Sequence, residues 1–172
     1  MSDNISEKNE EVREVYARFG LAIYSAQCLE HGLINAFIYL HLIPLKIPQY
    51  RSKEWEDEVD SFTSKHFEHT LGRMIKDLDK YTDVSPKLSN KLSEALRIRN
   101  WLAHDYFRER AREFMSSEGR VVMIKELDNA LVALNEADKE LSQALEPVLK
   151  KYGITEELLL KLSEEMLLKP KE

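Results

Sequence analysis

Apolar residues recur at spacings of three and four along most of this chain, and that rhythm predicts helices throughout. From about Glu10 to Ile43 the period is kept by Val12, Val15, Tyr16, Phe19, Ile23, Ala26, Leu29, Leu33, Phe37 and Leu40. The second half of this stretch is apolar on most sides, which predicts the most buried helix of the fold. Gly20 and Gly32 are expected to bend it or to admit a neighbour closely. Pro44 is expected to end it, and Pro48 to keep Leu45–Ser52 irregular. A second helical region spans about Lys53 to Lys80, with a break expected near Thr63-Ser64. Ser85 before Pro86 is the sharpest start signal, because the hydroxyl caps free N–H groups and the ring suits the first helical position.

A third helix is predicted from Pro86 to about Met115, followed by a turn at Ser116–Gly119. A fourth covers Arg120 to Lys151, with Val122, Leu127, Leu131, Leu134, Leu141, Leu145 and Val148 among its core positions. Gly153 stops it, and Thr155 caps a short last helix to about Leu168. Leu158 to Leu168 carries more apolar surface than one packed face needs, which fits either docking on the bundle or a subunit interface. No strand-like alternation and no repeat is present. The predicted fold class is all-α, an antiparallel bundle of four main helices plus a short C-terminal helix. Residues 1–9 are expected as a flexible tail, 10–153 as the bundle and 154–172 as the last helix and tail.

Composition narrows the setting. A chain of 172 residues buries enough surface to fold without a disulfide or metal. Its one cysteine, Cys28, lies in an apolar run and is expected as a small core hydrophobe. A reducing, cytoplasmic location follows as the expectation. The polar start lacks a signal-peptide pattern, and no run of 18 uncharged apolar residues occurs, so no membrane span is expected. A net charge of −6 argues against coating a long nucleic-acid duplex, while a small basic pocket stays compatible with it.

The densest chemistry is Arg99-Asn100-Trp101-Leu102-Ala103-His104-Asp105-Tyr106. At 100° per residue, Leu88, Leu92, Ala95 and Leu102 form a core stripe that includes Arg99. Asn100 and His104 fall on the opposite side. On a straight helix Arg99 and His104 point about 140° apart. A common site therefore requires a kink, a second subunit or both. An imidazole moves protons near neutral pH, and a guanidinium fork suits a phosphoryl oxygen.

Arg-x4-His, with Asn directly after the Arg, on the third helix of an all-α chain, resembles the HEPN superfamily. The resemblance implies a metal-independent ribonuclease without a cofactor, acting as a homodimer with a composite site. It implies that the 2′-hydroxyl of RNA attacks the adjacent phosphate and leaves a 2′,3′-cyclic phosphate. On this chain Arg99 would stabilise the phosphate, His104 would be the acid–base residue and Asn100 a polar helper. His104-Asp105-Tyr106 is similar to the His-x-Tyr ending of HepT toxins. That likeness implies a toxin–antitoxin or defence role, a nucleotidyltransferase antitoxin as partner and Tyr106 as the adenylylated residue. The rival expectation is a non-catalytic HEPN-like domain that binds a partner protein or nucleotide. A third is a helical dimer without a ligand.

Other residues bear on that choice. Arg97, Arg108 and Arg112, with Arg110, form either an RNA-contacting rim or a solvated face paired with Glu109 and Glu113. Gln27, Glu30 and His31 interrupt the apolar run of the first helix; either they mark a solvent edge or one of them reaches Arg99. Glu30 is the candidate partner for its charge. His66 and His69 have a spacing that can hold a metal, but no third ligand is identifiable. Structural pairing of Arg99 alone stands as the alternative to a working site.

Overall fold

The helix α1 (Ser2–Phe37) is the spine of the molecule, flanked by α7 (Ser117–Lys151) and α5 (Pro86–His104). The structure is a computed structural model that describes residues 2–46, 52–67, 69–155, 157–158, 160–161 and 164. After α1 come a π-turn at Ile38–Leu42, α2 (Ile43–Lys46), α3 (Lys53–Phe67) and α4 (Leu71–Leu78). A short α6 (Tyr106–Glu109) and a 3-10 turn at Glu113–Met115 join α5 to α7. The described residues contain helices and no strand.

One core serves all the long helices. Leu29, Leu33 and Phe37 of α1 meet Leu71, Met74 and Leu78 of α4, Leu88, Leu92, Ala95 and Leu102 of α5, and Met123, Leu127, Leu134 and Leu141 of α7. Each fully buried large aliphatic side chain contributes about 1.5–3 kcal/mol. A smaller cluster of Leu42, Ile43, Trp55 and Ile154 ties α2 and α3 to the chain beyond α7.

Side-chain pairs set the helix directions. Glu11 meets Arg120 and Arg18 meets Asp128, so α1 and α7 run parallel. Lys87 meets Glu140 and Lys91 meets Glu136, so α5 runs antiparallel to α7. Thus α5 and α7 are antiparallel, whereas α1 and α7 are parallel where an antiparallel bundle was expected. The reason is the extra break in the second region, which makes α3 and α4 separate legs. That break follows Phe67 rather than Thr63-Ser64, and Thr70 caps α4 by accepting from the Arg73 N–H.

Several boundaries also differ from the sequence reading. α1 reaches back to Ser2 instead of leaving residues 1–9 as a tail. Glu and Lys there are good helix formers, acids favour the first turns, and Glu11 anchors the stretch to Ser117 and Arg120. Pro44 does not end the helical path. The Ile43 N–H reaches back to the Ile38 carbonyl in a wider turn, and Pro44 then sits in the first turn of α2, where its missing donor is tolerated. Residues 47–51 of the expected irregular stretch lie outside the described residues.

Ser85 caps α5 as expected, accepting from the Leu88 N–H at 3.2 Å. The helix stops at His104, not near Met115. α7 begins at Ser117, capped by Ser116, so the expected turn is already helical. Its buried face uses Met123 and Ala130, while Val122 is exposed. The offset arises because Arg120 takes the first core position, buried by its bonds to Glu11 and the Phe114 carbonyl. Gly153 terminates α7 with φ of 68°, the left-handed conformation that favours glycine. Most of the expected last helix lies outside the described residues; Leu160 within it is exposed.

Cys28 is exposed, contrary to its expected place in the core, because it lies one residue before Leu29, about 100° around the helix from the buried stripe of Ala22, Ala26 and Leu29. The region Glu10–Leu45 contains a stretch long and apolar enough, by length and composition, to cross a membrane. Its Val15, Ala22, Leu29, Leu33 and Phe37 belong to the common core.

Candidate functional site

The site is built where α5 stops. Asp105 has φ −124° and ψ −25°, which turns the chain out of the helix immediately after His104. Its N–H still bonds the Trp101 carbonyl, and α6 begins one residue later. Aromatic packing holds this corner. Tyr106 meets the edge of Trp101 at 4.7 Å between centroids, and Phe19 lies 4.8 Å from Phe107. Tyr16 packs on both Phe107 and Phe114.

Arg99 and His104 line one cleft of about 250 Å³ between α1 and α5. Its other walls are Ile23, Ala26, Gln27, Glu30 and Ala103. The expected 140° divergence does not separate them. Ala103 lies between their directions, and the small side chains of Ala26 and Ala103 leave space on the α1 side. His104 is exposed, whereas Arg99 is partly buried at the margin of the core stripe. Ile98, not Arg99, occupies the stripe between Ala95 and Leu102.

The Arg99 guanidinium is held on two sides. Its Nε donates to Glu30 Oε1 at 3.1 Å, and Nη2 lies 3.0 Å from the same oxygen. Nη1 donates to Asn100 Oδ1 at 3.1 Å. Glu30 therefore neutralises a cation that the α5 core margin would otherwise leave partly desolvated. Gln27 reaches the cleft with it; His31 is exposed beside them. Asn100 turns mainly into a different groove, so its alignment with His104 on a helical wheel does not carry into the site.

That second groove, about 750 Å³, lies between α5, α6 and α7. It contains Arg97 and Arg110, but also Glu94, Asp105, Glu109 and Glu126. Arg110 makes a two-pronged pair with Glu126 at 2.8 and 2.9 Å and stands 5.5 Å from the Trp101 ring centroid. Trp101 Nε1 donates to Glu109 at 2.8 Å. Carboxylates outnumber guanidiniums, which disfavours phosphate there. Arg108 pairs with Asp105, while Arg97 and Arg112 are exposed. These arginines are not gathered at the Arg99–His104 cleft.

Tyr106 is placed differently from its expected role. The side chain is fully buried, and its hydroxyl donates to the Met123 carbonyl at 3.1 Å. Burial and the nearby Glu126 carboxylate push the phenol well above its usual range. A neutral, enclosed and hydrogen-bonded phenol is not presented for adenylylation. It positions the corner beneath His104 instead.

His66 and His69 also serve packing. His66 Nδ1 lies 2.8 Å from the Phe62 carbonyl and its ring stacks on Phe62. His69 Nδ1 is 4.0 Å from Asp77. The described residues contain no group of three His, Cys, Asp or Glu placed to hold a metal.

Sequence reasoning missed Ile23, Ala26 and Ala103 as cleft walls. Their signal was present in the register: Ile23, Ala26, Gln27 and Glu30 follow helical spacing along one edge of α1. Comparisons with protein families, curated proteins and solved structures give no significant match.

Proposed function

We propose that this chain is a HEPN-like, metal-independent endoribonuclease of a defence or toxin–antitoxin system, working as a homodimer in the cytoplasm. The observation that carries the reading is the shared cleft of Arg99 and His104. Asn100 supports it by holding Arg99. In the proposed reaction, His104 takes the proton of an RNA 2′-hydroxyl as that oxygen bonds the adjacent phosphorus. The bond from phosphorus to the 5′-oxygen breaks, and the partner's imidazolium protonates the departing oxygen. Arg99 stabilises the charge gained by the non-bridging phosphate oxygens. The products are a 2′,3′-cyclic phosphate and a free 5′-hydroxyl.

For the architecture we propose the HEPN-like bundle formed mainly by α1, α4, α5 and α7, antiparallel about α5, with a short C-terminal helix beyond α7. A nucleotidyltransferase partner fits only through contacts other than the Tyr106 phenol. One observation favours a second reading: Glu30 and Asn100 occupy the Arg99 donors. This suits a non-catalytic domain that binds a protein or nucleotide.

The test is cleavage of a mixed-sequence RNA in the presence of a chelator, with end-group analysis of the products. Wild type is expected to leave cyclic phosphate ends, and His104→Ala to lose about 100- to 10,000-fold in rate. A catalytically silent wild-type dimer would favour the binding domain. Equal cleavage by wild type and His104→Ala would remove His104 from the mechanism.

A further inference from the structure

Gln27 and Glu30 follow one another along one edge of α1, and both line the cleft that holds Arg99 and His104. Each has hydrogen-bonding capacity that the chain does not use. Both Arg99 contacts fall on Glu30 Oε1, so Oε2 keeps its lone pairs for another donor. Gln27 is exposed, and among the described residues no hydrogen bond engages its amide. The cleft therefore offers a ligand the acceptors Gln27 Oε1 and Glu30 Oε2, beside the Gln27 amide N–H donors. Ile23 and Ala103 add apolar wall. At about 250 Å³ the space is smaller than the pockets of about 300–1,000 Å³ that enclose drug-sized ligands. It suits one flat, unpaired ring and not a duplex.

We propose that Gln27 and Glu30 read the base beside the scissile phosphate, selecting bases that bear an exocyclic amine over uracil. This rests on the ribonuclease reading above and adds a substrate preference to it. The selection follows from counting hydrogens. Adenine and cytosine carry an NH2 group next to a ring nitrogen that accepts, and guanine carries one next to a ring N–H. Each of these bases fills both acceptors at once, while the Gln27 amide donates to the ring nitrogen or carbonyl. Uracil has a single N–H, flanked by carbonyls. Filling one acceptor leaves the other empty, and a carbonyl set against Glu30 Oε2 is repelled. An acceptor left unfilled in a confined site weakens binding by about the worth of one hydrogen bond. Unpaired bases are what proteins read on RNA, because their edges are open. Glu30 then acts through both oxygens: Oε1 holds the guanidinium that meets the phosphate, and Oε2 accepts from the base.

Fluorescence anisotropy of the full chain tests it, with short RNA oligomers that are 2′-fluoro throughout, so that no 2′-hydroxyl attacks. The oligomers are uracil except for a central adenine, cytosine, hypoxanthine or uracil. Hypoxanthine keeps the shape of adenine but has a carbonyl in place of the amine and a single N–H on that edge. The adenine and cytosine oligomers are expected to bind about threefold to tenfold more tightly than the other two. Gln27→Ala is expected to bring all four within about twofold of each other, with unchanged circular dichroism, because one remaining acceptor is filled by any of them. Asn35→Ala, which removes an exposed amide further along α1, is expected to keep the preference. Equal affinity of the wild type for all four overturns the proposal, as does a preference that survives Gln27→Ala. Binding to none of them overturns it together with the ribonuclease reading. The expected preference without cleavage of the matching 2′-hydroxyl RNA sinks the catalytic reading alone, and cleavage indifferent to the base sinks this one alone.

Discussion

At Arg99, three donors of one guanidinium are shared between Glu30 and Asn100. A phosphate must compete with a carboxylate already in place. Glu30→Gln is therefore expected to bind a 2′-deoxy-substituted, uncleavable RNA about threefold to tenfold more tightly. Fluorescence anisotropy would measure it, and unchanged or weaker binding would show that Glu30 is needed to aim the guanidinium. Tyr106 makes the opposite kind of contribution. Tyr106→Phe removes the phenol's bond to the Met123 carbonyl in the core, leaving that carbonyl only its partner within α7. The expected loss is about 1–2 kcal/mol, seen in urea unfolding, with little direct effect on RNA binding. The Glu30 contact was legible from sequence because an isolated acid on an apolar helix must find a partner. The burial of Tyr106 was not. A short polar-aromatic motif gives no sign of which groups the corner will swallow, and here the rings of Phe19, Trp101 and Phe107 packed against Tyr106 decide it.

At the level of elements, caps were more legible than helix lengths. Ser85, Thr155 and Gly153 each act where their chemistry places them. The ends of α1 and α5 were misjudged for a common reason: tertiary contacts overrode local signals. Glu11 extends α1 by binding Arg120, and the aromatic corner stops α5 in the middle of a helical pattern. The start of α7 shows how little room such contacts leave. A Cβ on Gly119 would stand 2.1 Å from the Glu113 backbone oxygen. Gly119→Ala is expected to destabilise the protein by about 2–3 kcal/mol, because the obstacle is main chain and cannot rotate away. Thermal unfolding would register it, and a Tm equal to wild type would mean that the 3-10 turn relaxes freely. Glycine in an apparent turn sequence gave no hint of this steric role.

At the scale of the whole molecule, the helical class was readable from periodicity alone, but the parallel placement of α1 and α7 was not. Direction depends on the number of legs between them, and one extra break reverses it. Their interface also carries a pH signature. Asp138 is partly buried there, and burial raises its carboxyl above the usual range. The folded state then holds more protons than the unfolded one just above pH 4, so this group lowers stability as pH rises through that window. Asp138→Asn is expected to raise Tm at pH 7 and to lose that advantage at pH 3.5. Glu11 and Glu136 act in the opposite sense, because donors hold their carboxyls low. Their contribution is present above about pH 4.5 and fades as the pH falls through their lowered values. A gain from Asp138→Asn that persisted unchanged at pH 3.5 would exclude the titration as its source.

The parallel pairing of α1 and α7, the first and last long helices in sequence, also orders events during synthesis. Glu11 and Arg120 are 109 residues apart in sequence, yet share a bond. As the chain emerges from a ribosome, α4 and α5 can meet while α7 is still inside the exit tunnel. Until α7 is free, α1 keeps the part of its inward apolar surface that packs on α7 uncovered. Closure of this long loop is the slow, entropically costly event, and the nascent chain is at its stickiest just before it. A variant that weakens the α1–α7 seam should therefore fail first as poor soluble yield at high expression rate, before any loss is visible in the purified protein.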